Sequence, residues 1–142
     1  MDYRRFDNTI IARIDRPEDI LEQLKIISMK ENIRLADVNA LGAVNHIEVG
    51  VFKTGEKQYL KNTFDGEFEI VSLHGTVNTM NGEYYSHIHM SASTVDGTTV
   101  GGHLNAATVS GTCEMVIHVI DGIVDRKFSE EIGLNLFEFQ DR

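Results

Sequence analysis

Five glycine-ended dipeptides, Thr54-Gly55, Asp65-Gly66, Asn81-Gly82, Asp96-Gly97 and Asp121-Gly122, cut most of the chain into short segments. Such pairs favour tight turns, because glycine takes positive φ without steric cost and Asp or Asn tolerates it. The segments around them are rich in Val, Ile, Thr, Tyr and Phe and read as strands. They cover residues 9–14, 36–41, 46–52, 59–64, 67–77, 84–94, 98–104, 112–120 and 134–139. Residues 125–132 read as a short helical or irregular crossing. Only one stretch has clear helical spacing, with Ile20, Leu21, Leu24 and Ile27 on one face. Asp15 with Glu18 resembles a capping box, Pro17 suits a first turn, and Asn32 suits a left-handed stop, so the helix is expected over 16–31. Many strands and one helix imply an α+β fold: a central, mainly antiparallel sheet with the helix packed on it. No repeat, low-complexity tract or linker interrupts the pattern, so a single domain over 1–142 is expected.

Composition narrows the function classes. A chain of 142 residues with 42% hydrophobic residues can bury a core without help from disulfides or metal. Cys113 is the only cysteine, which excludes an intrachain disulfide and favours a cytoplasmic setting. The first residues, Met1 to Asp7, have no apolar run after Arg4-Arg5, so no signal peptide is expected. No apolar run approaches the ~20 residues of a membrane-spanning helix. The net charge is −9, from 13 basic and 22 acidic residues, which argues against nucleic-acid binding by this chain alone. The only basic clusters are Arg4-Arg5 and Arg126-Lys127.

Three of the six histidines fall close together, as His87-Ile88-His89 and Gly101-Gly102-His103. Residues two apart on a strand share a face, so His87 and His89 project side by side, their α-carbons about 7 Å apart. The place of His103 depends on the intervening turn. A two-residue turn at Asp96-Gly97 pairs Val95 with Thr98 and turns His103 to the other face. A three-residue loop, Val95-Asp96-Gly97 with Gly97 left-handed, pairs Thr94 with Thr98 and sets His103 opposite His89. Only the second register gathers all three side chains. The paired glycines before His103 permit a bulge that re-aims it.

Neutral imidazole suits Zn²⁺, and also Fe, Ni or Cu. Three protein ligands leave a fourth position for water, the open form associated with catalysis, in which the water's pKa falls to about 7. His87, His89 and His103 are therefore the candidate metal ligands, for Zn²⁺ or another divalent transition metal. Glu69 is the candidate general base, if its strand neighbours the hairpin. His46, His74 and His118 read as structural or exposed, and Cys113 as a small buried hydrophobe.

The same residues carry a resemblance. The run Glu67-Phe68-Glu69-Ile70-Val71-Ser72-Leu73-His74-Gly75, then His87-Ile88-His89, then Gly101-Gly102-His103-Leu104, resembles the PPC domain, the plant and prokaryote conserved domain. Ala40-Leu41-Gly42-Ala43-Val44 and Gly133-Leu134 also fit, so the resemblance spans residues 6–139. It implies an α/β fold with a mainly antiparallel sheet and assembly as a homotrimer. In prokaryotic members His-x-His with Gly-Gly-His implies a metal, usually taken as zinc, and His87, His89 and His103 match all three positions. The family's DNA-binding label belongs with plant members that join the domain to AT-hook segments; no Arg-Gly-Arg-Pro core exists here. The family brings no established biochemical activity.

Three functions follow as alternatives: a metal-dependent hydrolase in which zinc-bound hydroxide attacks a small polar substrate, a non-catalytic metal- or ligand-binding protein, and a DNA-binding or transcription-associated module. A cupin, which also uses His-x-His, is rejected because Met90 to Val95 contains no glutamate.

Overall fold

The computed structural model describes residues 1–139. Its strands are β1 (Asp2–Phe6), β2 (Thr9–Asp15), β3 (Ala36–Lys53), β4 (Gln58–Met80), β5 (Glu83–Ser93), β6 (Thr99–Val119), β7 (Asp125–Ser129) and β8 (Leu134–Glu138). One helix, α1 (Ile20–Lys30), joins β2 to β3. The first six strands form an antiparallel sheet in the order β1-β2-β6-β3-β4-β5, and β5 pairs with β6 as well. Strands β3, β4, β5 and β6 therefore close a ring. The remaining two strands form a separate ribbon. The mainly antiparallel sheet with one packed helix is as expected; the closing three residues of the expected domain lie outside the described residues.

The strands are longer than the turn signals imply. Segments 59–64 and 67–77 are one strand, β4, because Asp65-Gly66 makes a bulge rather than a turn. The pairing with β3 shifts there, between Val44 and His46. Segments 36–41 and 46–52 are likewise continuous as β3, and 98–104 and 112–120 as β6. Residues 105–111 of β6 do alternate, with Ala107 and Val109 buried. Their small side chains hide that alternation from a hydrophobic pattern. Asn81-Gly82 does form a two-residue turn, with φ of 53° and 80°, between Met80 and Glu83.

The helix starts later than its capping signal suggests. The Asp15 and Glu18 pair is real, since the Asp15 amide donates to Glu18 Oε2 at 2.8 Å and the Glu18 amide to the Asp15 carbonyl at 2.9 Å. It closes a turn at the end of β2, and the helix cap is Asp19. One oxygen of Asp19 accepts the Glu22 amide at 2.9 Å, while the other accepts the Ala107 amide of β6 at 2.8 Å. One carboxylate thus starts the helix and fastens it to the sheet. Ile20, Leu24 and Ile27 are fully buried, and Asn32 ends the helix at φ 52°.

Two elements escaped the sequence reading. Strand β1 is highly charged and pairs along one edge only, so its pattern does not alternate in hydrophobicity. Residues 125–132, expected as a helical or irregular crossing, contain β7; its inward residue is an arginine, Arg126, which is 6% exposed. Among the described residues, no helix is long and apolar enough to cross a membrane.

Candidate metal centre

The β5–β6 hairpin takes the three-residue loop. The Thr94 amide donates to the Thr98 carbonyl at 2.8 Å, and Gly97, at φ 86°, donates to the Thr94 carbonyl at 3.0 Å. The Asp96 carboxylate accepts the Thr98 amide at 3.0 Å and the Thr94 hydroxyl. These bonds hold its acid well below the usual carboxylate range, at about 2, the Thr94 hydroxyl contributing most. Pairing then runs from Ser93 and Thr99 inward to His89 opposite His103.

His87, His89 and His103 meet. Their ring centroids lie 5.0, 5.2 and 5.6 Å apart. One ring nitrogen from each lies within 4.8 Å of the others, and the Nε2 atoms of His87 and His89 are 3.1 Å apart. Nitrogens bound to one tetrahedral zinc at 2.0–2.1 Å would stand about 3.3 Å from each other, so the donors present fit such an ion. Burial, then the neighbouring His103 and His89 and the charge of Arg126, lower the pKa of His87 to about 4. Burial and His89 lower that of His103. Both rings are neutral at pH 7, the form that ligates.

Close backbone approaches fix the third histidine. A Cβ on Gly102, at φ 155°, would lie 2.5 Å from the Gly50 carbonyl oxygen on β3. One on Gly101 would strike the Met90 carbonyl of β5. The two glycines thus press β6 against a strand on either side, and the register irregularity falls later, between Leu104 and Ala106. Tyr59 packs edge-on to His103 at 6.0 Å and takes a hydrogen bond from Asn105.

The other titratable candidates stand apart. Strand β4 does neighbour β5, yet Glu69 lies opposite Ser93, four residues along from His89, or roughly 13 Å by strand rise. It lines a separate depression with Arg16, Asn45 and Glu67. His74 faces His89 across the β4–β5 pair but bonds Ser72 at 3.2 Å, outside the three-nitrogen cluster. His46 donates to Asp65 at 2.6 Å, which raises its pKa, and His118 bonds Asn8 at 3.0 Å. Cys113 is fully buried, and burial pushes its thiol up to about 12.

The histidines open into a cleft of about 760 Å³, walled on its other side by the β7–β8 ribbon through Arg126, Leu134, Asn135, Leu136 and Phe137. The guanidinium carbon of Arg126 lies 4.6 Å from the Tyr85 ring centre and 4.3 Å from that of Phe137. Its Nε donates to Asn78 Oδ1 at 2.9 Å and its Nη1 to the Asn135 carbonyl at 2.9 Å. Sequence reasoning missed this group, having read Arg126 only as part of the basic pair Arg126-Lys127. The available signal was Tyr85, which shares the β5 face of His87 and His89 by simple alternation.

Comparison with known proteins agrees with this architecture. No curated protein matches the chain. Among solved structures it is similar to a candidate DNA-binding protein from Bacteroides thetaiotaomicron, at 27% identity and a TM-score of 0.94 over 97% of this chain and 96% of that one. It is similar to a metal-containing protein from Archaeoglobus fulgidus, at 29% identity and a TM-score of 0.88, covering 97% of each chain. A plant- and prokaryote-conserved protein from Pyrococcus horikoshii shares 28% identity at a TM-score of 0.84, over 99% of this chain and 96% of that one. The model of the Plants and Prokaryotes Conserved (PCC) domain matches residues 1–121, and the chain belongs to that family.

Proposed function

We propose that this chain is a metal-binding protein that holds a divalent transition metal, zinc in the first instance, on His87, His89 and His103, with the cleft as the binding place for a small molecule. The observation that carries the reading is the convergence of three ring nitrogens within 4.8 Å at the wall of that cleft. The similarity to a metal-containing archaeal protein supports it. An ion there would supply Lewis acidity toward an oxygen of the bound molecule. The chain's own residues supply the donor set and the cleft walls. Glu69 stands too far away to serve as a base at that point, so ligand binding is favoured over hydrolysis assisted by a carboxylate.

Assembly as a homotrimer in the cytoplasm belongs to the same proposal. It would cover some of the apolar side chains that a lone chain exposes, such as Phe6, Ile11, Leu41, Val71 and Val116. Light scattering that returns the mass of a single chain would count against it. The DNA-binding reading, suggested by the Bacteroides relative, is not favoured here: Arg126 is buried in the cleft, and Arg5 pairs with Glu31 at 3.2 Å.

The deciding experiment measures metal in tag-free protein, wild type beside His89→Ala. About one ion per chain in the wild type, lost in the variant, is expected. No bound metal, and no uptake on dialysis against Zn²⁺, would overturn the proposal.

A further inference from the structure

The cleft has an unusual charge for its host. The chain carries a net charge of −9, yet no Asp or Glu is among the described residues lining this cleft. Arg126 is there, 6% exposed, and no carboxylate among the described residues pairs with it. A buried charge without an opposite partner is costly, and stacking on aromatic faces offsets only part of that cost. Asn78 and Asn135 use the Nε and one Nη1 proton, which leaves further N–H groups of the guanidinium without a protein partner among the described residues. Asn78 is itself fully buried and donates to the Thr79 and Val124 carbonyls at 3.0 and 2.9 Å, so the bracket that aims the guanidinium is rigid.

The position of that group matters as much as its charge. Tyr85, His87 and His89 share one face of β5, and Arg126 stacks on Tyr85. The guanidinium therefore stacks on the side chain that stands one repeat, ~7 Å, along the strand from His87. Both groups line the same cleft. A planar fork of donors in one cleft with three imidazoles matches a molecule with a carboxylate at one end and another oxygen at the other.

We propose that Arg126 is the anion-recognising residue of the cleft, and that the molecule bound there is a small carboxylate. Its carboxyl group pairs with the guanidinium, and a second oxygen of the same molecule reaches the ion held by the histidines. This rests on the metal reading above. The apolar walls, Phe52, Leu136 and Phe137 among them, fit a short hydrocarbon body between the two poles.

The test uses the full chain loaded with cobalt(II), whose visible absorption reports any change at the ion. Lactate and pyruvate are the probes, and methyl lactate is the neutral control. Lactate or pyruvate is expected to change the spectrum saturably, with methyl lactate at least about tenfold weaker. Arg126→Gln is expected to keep its cobalt content and a cooperative, though lowered, melting transition while binding lactate at least about tenfold more weakly. Arg126→Lys keeps the charge and the stem but not the fork, and serves where the glutamine variant fails to fold; a loss of several-fold is expected. Lactate affinity unchanged in a folded Arg126 variant would overturn the inference. So would equal binding of lactate and its ester, or no response to either carboxylate at about 10 mM. Cobalt uptake with Arg126-independent binding removes this inference alone, whereas failure of the wild type to take up cobalt removes the metal reading and this inference with it.

Discussion

The two walls of the cleft are specified in different ways. The histidine wall is built on β5 and β6, where a two-residue repeat and one loop fix which side chains meet. The opposite wall is a two-stranded ribbon whose inward residue is an arginine, held by Asn78 from a strand distant in sequence. The first wall lies within the residues matched by the family model, 1–121, and the ribbon lies beyond them. A local pattern therefore encodes the histidine cluster, and tertiary packing encodes what stands across from it.

Mutations separate the walls most sharply at the ion. Changing His87, His89 or His103 to Ala should each lower metal affinity by about a hundredfold or more, read by competition with a chromophoric chelator. Phe137→Ala, on the ribbon, should leave metal affinity within about twofold of wild type. A large loss in that variant would mean that the walls are not independent.

Next in size is the backbone beneath the histidines. Gly102→Ala would drive its Cβ against the Gly50 carbonyl at a φ of 155°. It should cost about 2 kcal/mol or more in urea denaturation and weaken metal binding too. On the ribbon side, Asn78→Ala removes the acceptor of the Arg126 Nε–H and should cost about 1–2 kcal/mol. Hydrogen exchange should then speed up across Asp125–Ser129 and Leu134–Glu138 while the β5–β6 hairpin stays protected. Faster exchange in the hairpin as well would show that the ribbon supports the histidines.

The smallest effect is a pH dependence confined to the histidine wall. Asp96 has its pKa lowered in the folded chain to about 2 by the Thr94 and Thr98 bonds. The unfolded chain takes up a proton first as pH falls, so the contribution of Asp96 is complete above about pH 4. It fades as pH drops through about 2. Asp96→Asn should remove that dependence from the β5–β6 hairpin and leave the ribbon unchanged, as judged by amide shifts across an acid titration. A wild-type Asp96 that titrates near pH 4 would show that the loop bonds do not form in solution.

These contrasts explain what was legible in the sequence. The histidines could be placed because strand alternation and a common hairpin loop require nothing beyond neighbouring residues. The sequence left two registers open, and the Asp96 bonds with the left-handed Gly97 select the one that gathers the rings. The helix was visible, but its start was misplaced by four residues, because Asp19 caps against a β6 amide far along the chain. Glu69 was attractive for its motif and is separated from the histidines by pairing register alone. Arg126 read only as half of a basic pair, since its burial depends on Asn78, Tyr85 and Phe137, which no local window joins.

The donor set has a chemical consequence of its own. The three candidate ligand atoms are imidazole nitrogens, and the single thiol is fully buried with its pKa pushed up to about 12. Peroxide attacks thiolates, converting them to sulfenic and then sulfinic acids, and so dismantles cysteine-ligated metal sites. Nothing in the histidine cluster offers that route, and the sulfur of Met90, beside His89, is almost wholly buried. Holding a redox-inert ion such as zinc, a site of this composition would not lose its ligands through thiol oxidation.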